Sequence, residues 1–123
     1  MKFASLLPRI LLGLGFTLFG VIGLFHIKMP EPTMPPDAQM FGQILYNNHY
    51  WPFIFACQLV GGILLLLGKT PLGLVFLGPV LVNIILFHTL LSHGGFLPPA
   101  VFVVLFLIVF WQNRKSFEPI FKD

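Results

Sequence analysis

Four apolar stretches, at about 3–25, 51–67, 72–91 and 97–111, are separated by short clusters of polar, proline and glycine positions. A helix crossing a hydrocarbon core of about 30 Å needs about 20 residues, so each stretch predicts a membrane-spanning helix. The first carries Pro8 and Arg9 in its opening turns, and the second stops at Gly68-Lys69-Thr70-Pro71. The third stops at Ser92-His93-Gly94-Gly95. The fourth opens on Leu97-Pro98-Pro99, where prolines suit a first helical turn. It has no polar residue from Ala100 to Trp111 before it meets Gln112-Asn113-Arg114-Lys115. The second and fourth stretches are short, which predicts local thinning of the bilayer or tilt of their neighbours.

The one long connection, about 26–50, begins with the helix-breaking run MPEPTMPP at 29–36. Residues 37–46 then predict a short amphipathic helix. Asp37 is its candidate N-cap, and Met40, Phe41, Ile44 and Leu45 form one apolar face for the membrane surface.

Composition sharpens this reading. Of the 123 residues, 57% are hydrophobic and 9% are charged, with a mean hydropathy of +0.93. A soluble domain carries about 25% charged residues, so a soluble globular enzyme is excluded. A nucleic-acid-binding protein is excluded as well, despite a pI near 9.4. The length suits a single domain over 1–123. The fold class expected is therefore all-α, an integral membrane four-helix bundle. The N-terminal run superficially resembles a signal peptide, but Leu24-Phe25-His26-Ile27-Lys28 offers no small-residue cleavage site, so it reads as a retained helix.

Charge sets the orientation. Lys2, Arg9, Lys69, Arg114, Lys115 and Lys122 fall on one side of a four-span arrangement and Lys28 alone on the other. Positive residues stay inside, so both termini are expected in the cytoplasm and the 26–50 loop outside. Tyr46, Tyr50 and Trp51 then lie at the outer interface and Trp111 at the inner one.

Small residues predict the helix contacts. Gly13, Thr17 and Gly20 share one face of the first helix, and Cys57, Gly61 and Gly68 one face of the second, with Gly62 beside them. Such stripes let backbones approach closely in lipid. The lone Cys57 supports neither an internal disulfide nor a multi-cysteine metal site. Pro79 should kink the third helix by freeing a carbonyl near Val75. The fourth helix has no small or polar stripe, so lipid or another apolar protein surface is expected against it.

Polar groups within the apolar stretches are few, and each is a candidate site. They are Gln58, Asn83 and His88, with Thr17 and Ser92 nearer the ends. Asn83 and His88 are five residues apart, about 140° around a helix, and do not share a face. All four histidines, His26, His49, His88 and His93, fall toward the outer side. Histidines at one depth suit a metal, haem or proton transfer to a quinone, with His26 and His88 able to approach if their helices are neighbours. No pair has ligand spacing, so no metal site is expected. There is no nucleophile with a base, no paired carboxylates in the apolar stretches and no phosphate loop, so no catalytic residue is assigned.

The strings MPEPTMPPDAQMF, YWPF with QLVGGILLLLGKTPLGL, GPVLVNIILFHTLLSHGG and WQNRKSFEPIFK resemble the DoxX-like family of small bacterial membrane proteins. The likeness covers nearly the whole chain. Its most specific parts are Gly61-Gly62 with the Gly68-x-x-Pro71-Leu72 turn, and Pro79 with Asn83 and His88. The resemblance implies a four-helix protein of the bacterial cytoplasmic membrane. It also implies membrane redox work, as in thiosulfate:quinone oxidoreductase subunits or oxidative-stress systems. This chain has Gln58 where family members often carry an acidic residue, and Val21, Ile22 and Gly23 where they often carry polar ones.

Three functions follow as expectations, the third being a scaffold or lipid-binding protein acting as a homo-oligomer. The first is a non-catalytic accessory subunit of a larger redox or photosynthetic membrane complex. It would bind lipid, meet partner subunits through its fourth helix and carry no cofactor of its own. The second is a quinone-linked oxidoreductase component, with His88, Asn83, Gln58 and His26 as polar contacts.

Overall fold

A computed structural model describes residues 2–25 and 34–121; His26, Lys28, the first prolines of the 26–50 loop and Lys122 lie outside the described residues. Every regular element among those residues is helical. The order is α1 (Lys2–Leu24), α2 (Pro36–Asn47), α3 (Trp51–Leu66), α4 (Thr70–Leu86), a π-helical turn (Phe87–Ser92), α5 (Leu97–Gln112), α6 (Arg114–Phe117) and a 3-10 turn (Glu118–Phe121).

Proline marks the starts. α2, α3, α4 and α5 each have proline at one of their first two positions, where the missing N–H has no helical acceptor to lose. At α2 this moves the boundary away from the expected one. Pro36 opens the helix, Pro35 is its cap, and Asp37 sits in the first turn with no capping bond from its side chain. The Pro35-Pro36 pair presets φ and moves the cap two residues upstream of Asp37. The Asp37 carboxylate still lies favourably at the positive end of the helix dipole.

The helix ends are closed by left-handed residues. After α3, Gly68 has φ 88°; its N–H bonds Leu65 O at 3.2 Å and the Lys69 N–H bonds Leu64 O at 2.8 Å. That pair of bonds is a Schellman motif. α2 ends the same way around His49 (φ 55°), with His49 N–H to Tyr46 O at 3.3 Å and Tyr50 N–H to Leu45 O at 2.9 Å.

α1, α3, α4 and α5 form a ring of contacts in which α1 meets α3 and α5, and α4 meets α3 and α5. Leu12 and Phe16 of α1, Leu65 of α3, Leu74, Leu77, Val80 and Leu81 of α4, and Val109 of α5 make the core, joined by Phe117 of α6. Phe102 of α5 seals the α1 side, with ring centroids 4.9 Å from Phe16 and 5.8 Å from Phe19. Most of the remaining large apolar side chains face outward, including Leu14, Leu18, Val75, Val82, Val104 and Leu107, each more than half exposed.

Leu6–Leu24 (19 residues) and Thr70–Ser92 (23 residues) are long and apolar enough to cross a membrane unaided. α3 and α5 have 16 residues each, about 24 Å at 1.5 Å per residue. They pass the same test only together with neighbours bent away from them, α2 by 91° and the 114–121 segment by 77°. The chain thus holds two to four candidate spans and is compatible with a membrane protein. Two details differ from the expectation drawn from hydropathy. The third apolar stretch ends in a π turn, and the fourth is followed by a sharply turned segment whose Phe117 folds back onto Phe110, ring centroids 5.1 Å apart. α4 runs through Pro79 as one helix.

Candidate functional site

α1 and α3 pack backbone against backbone. A Cβ on Gly62 would lie 2.5 Å from Thr17 Oγ1, 2.6 Å from Thr17 N and 2.8 Å from Gly13 O. A Cβ on Gly13 would lie 3.0 Å from Gly62 O, and one on Gly20 would lie 2.9 Å from Leu59 N and Cβ. The helices run antiparallel with backbone nearly on backbone, a geometry only small residues permit. Thr17 Oγ1 is buried there without a hydrogen-bond partner.

The α3–α4 contact uses the neighbouring face. A Cβ on Gly61 would meet Leu77 Cγ at 2.5 Å and Gly73 O at 3.3 Å, while one on Gly73 would lie 3.0 Å from Gly61 O. Gly73 was not singled out from the sequence, although it belongs to the same close pair. Gly68 has a different role: apart from Arg9 Nη1 at 3.9 Å its Cβ direction is open, and its positive φ is what the chain uses. Cys57 is half-buried against the core.

Arg9 joins the end of α3 to the start of α1. Its Nη1 donates to Leu65 O, a carbonyl of the last turn of α3. That turn carries the negative end of the helix dipole, so a guanidinium is well placed there. In the sequence Arg9 shows only as a topological charge, because its acceptor lies 56 residues away.

His88 lies in the π turn, half-buried. Its Nδ1 pairs with Gly94 O at 2.9 Å, which fixes Nδ1 as the protonated nitrogen because a carbonyl only accepts. The ring stands edge-on to Phe87 at 5.3 Å, and Phe87 contacts Phe41 of α2 at 5.7 Å. π turns frequently mark functional positions.

The other sequence candidates are dispersed. Gln58 is 6% exposed, one turn before Gly61 on α3. Asn83 faces outward from α4, its Nδ2 donating to Pro79 O at 3.0 Å. No hydrogen bond or ring contact joins Gln58, Asn83 and His88 to one another among the described residues. Nor do any three His, Cys, Asp or Glu side chains there come together as a metal set. His49 and His93 are left-handed, with φ 55° each, a conformation in which histidine is enriched over most side chains. Each closes a turn, so His49→Gly and His93→Gly should each stabilise the protein by about 1 kcal/mol, read as a raised Tm in detergent. A lowered Tm would show that these imidazoles make contacts the turn alone does not require.

No family model and no solved structure matches the chain. It is similar to a protein of Bacillus subtilis (strain 168), the "Uncharacterized protein YwoB". Identity is 30% over 126 aligned positions, which cover 94% of this chain and 80% of that protein. With 30% identity over that share of both chains, the chain belongs to the same family as YwoB.

Proposed function

We propose that the chain is a four-span protein of the bacterial cytoplasmic membrane with both termini inside. In this reading it is DoxX-like and serves as a non-catalytic accessory subunit of a larger redox or photosynthetic complex. The observation that supports this best is α5. Its inner side buries Pro99 and Val109 and half-buries Phe102, Val103 and Phe106. Its outer side presents Val101, Val104, Leu107 and Ile108, 40–58% exposed, without one polar atom to recruit a small ligand. A smooth apolar ridge suits an extended apolar surface. At either end of the two short helices, Trp51 stacks on Tyr46 at 5.7 Å, and Arg114 lies over Trp111 at 4.2 Å. Paired aromatic and basic groups of this kind anchor helices at lipid headgroups.

Native mass spectrometry of gently extracted membranes, with an absorption spectrum of the same sample, tests the role. The expected result is a heteromeric mass whose cofactors belong to other chains. Recovery solely as free protomers or homo-oligomers would overturn it.

A second reading, a quinone-linked component, draws on His88. With Nδ1–H committed to Gly94 O, a neutral ring leaves Nε2 as an acceptor. That suits a hydroxyl donor such as quinol better than a quinone carbonyl. It predicts quinone in the purified protein and its loss in His88→Ala; unchanged quinone content in that variant would reject it.

A further inference from the structure

The exposed face of α4 carries an ordered pattern. Leu72, Phe76, Pro79, Asn83 and Leu86 are all exposed, and their spacing of 4, 3, 4 and 3 is the a/d repeat of a two-helix seam. They run the length of α4, the α-helical part of the Thr70–Ser92 candidate span, and stop where the π turn breaks the repeat. Asn83 is the one side chain of the five with a hydrogen-bonding group. It lies about 20 Å along the helix from Thr70 and about 13 Å from Ser92, well within the apolar depth.

An outward carboxamide at that depth is costly against hydrocarbon. Its bond to Pro79 O uses one N–H and leaves a second N–H and an oxygen acceptor. Two copies inserted in the same orientation hold their Asn83 residues at the same depth, and a carboxamide complements itself because it both donates and accepts. A two-fold axis along the membrane normal therefore satisfies both copies at once.

We propose that two copies pair through this face of α4, packed as a left-handed seam crossing at about 20°, with the two Asn83 side chains hydrogen-bonded across it. The proposal rests on the membrane-spanning reading above. It leaves the outer face of α5 free, so a pair can still dock on a larger complex. Nothing in the protomer depends on Asn83, whose bond stays within its own helix, so substitutions there should not unfold it.

The test is oxidative cross-linking in native membranes, in a Cys57→Ala background. Leu72→Cys, Phe76→Cys and Leu86→Cys should form dimers, whereas Ile85→Cys, off the seam, and Val104→Cys, on α5, should not. Adding Asn83→Ala should weaken pairing about 3- to 20-fold, the range of one interhelical hydrogen bond in lipid, and Asn83→Gln should restore part of it. Cross-linking without this periodicity, or pairing unaffected by Asn83→Ala, would overturn the proposal. So would a chain that resists alkaline carbonate extraction yet stays uncross-linked at all seam positions. Release by carbonate would instead show that the membrane reading, and the pairing with it, is wrong.

Discussion

Gly62→Ala is expected to lower the stability of the protein by about 2 kcal/mol, and Gly62→Leu to prevent α1 from docking on α3. The new Cβ would lie 2.5–2.8 Å from Thr17 Oγ1, Thr17 N and Gly13 O, closer than real Cβ contacts. Two of those three atoms are backbone and cannot rotate aside, so the helices must separate along the crossing. Overpacking of this kind costs about 1–3 kcal/mol, occasionally more, which outweighs the gain of about 1 kcal/mol in helix propensity. Gly61→Ala should also destabilise, because its Cβ would lie 2.5 Å from Cγ of Leu77, a fully buried core side chain. Gly42→Ala on α2 is the control. Nothing lies within 4 Å of its Cβ position, so it should be neutral or slightly stabilising. Thermal unfolding in detergent ranks all four; a Gly62→Ala protein as stable as Gly42→Ala would refute the close α1–α3 crossing.

The second large effect is expected at Arg9. Arg9→Met keeps the apolar stem and removes the guanidinium that donates to Leu65 O. Hydrogen bonds from charged donors contribute about 1.5–3 kcal/mol, and a loss of about 2 kcal/mol is expected. Arg9→Lys should recover part of it, since an ammonium still reaches a carbonyl but lacks the fork geometry. Of the two Schellman bonds around Gly68, one shares its acceptor, Leu65 O, with Arg9 and the other ends on Leu64 O; both are backbone bonds that remain without the guanidinium, so α3 should keep its end while α1 loosens. Hydrogen exchange checks this: faster exchange in the first turns of α1, with α3 protected, is the expected pattern. Equal stability of wild type and Arg9→Met would show that the cap contributes nothing.

Hydropathy length and proline–glycine punctuation made the long helices legible. The bounds of α1, α3 and α5 fall within one or two residues of the apolar stretches, because Pro52, Pro98 and Gly68 act locally. Asp37 is a cap by residue type alone, and the prolines before it preset the backbone and take the cap to Pro35. The π turn was not legible, as Phe87–Ser92 reads like any continuing helix. Long-range facts were hidden too. Nothing near Arg9 names Leu65 as its acceptor, and nothing near Gly73 names Gly61 as its neighbour. Asn83 illustrates the difference between finding a residue and placing it. Its polarity marked it at once, but whether it faced the protein or the outside depended on which α4 face α3 and α5 cover.

The proposed topology of four spans with both termini inside is open to thiol labelling of intact cells by a membrane-impermeant reagent, with Gln43→Cys on α2 and Ser116→Cys on α6 in a Cys57→Ala background. Both positions are exposed. Gln43→Cys should react in intact cells and Ser116→Cys only after permeabilisation. Labelling of Ser116→Cys in intact cells, or a Gln43→Cys thiol protected until lysis, would contradict it.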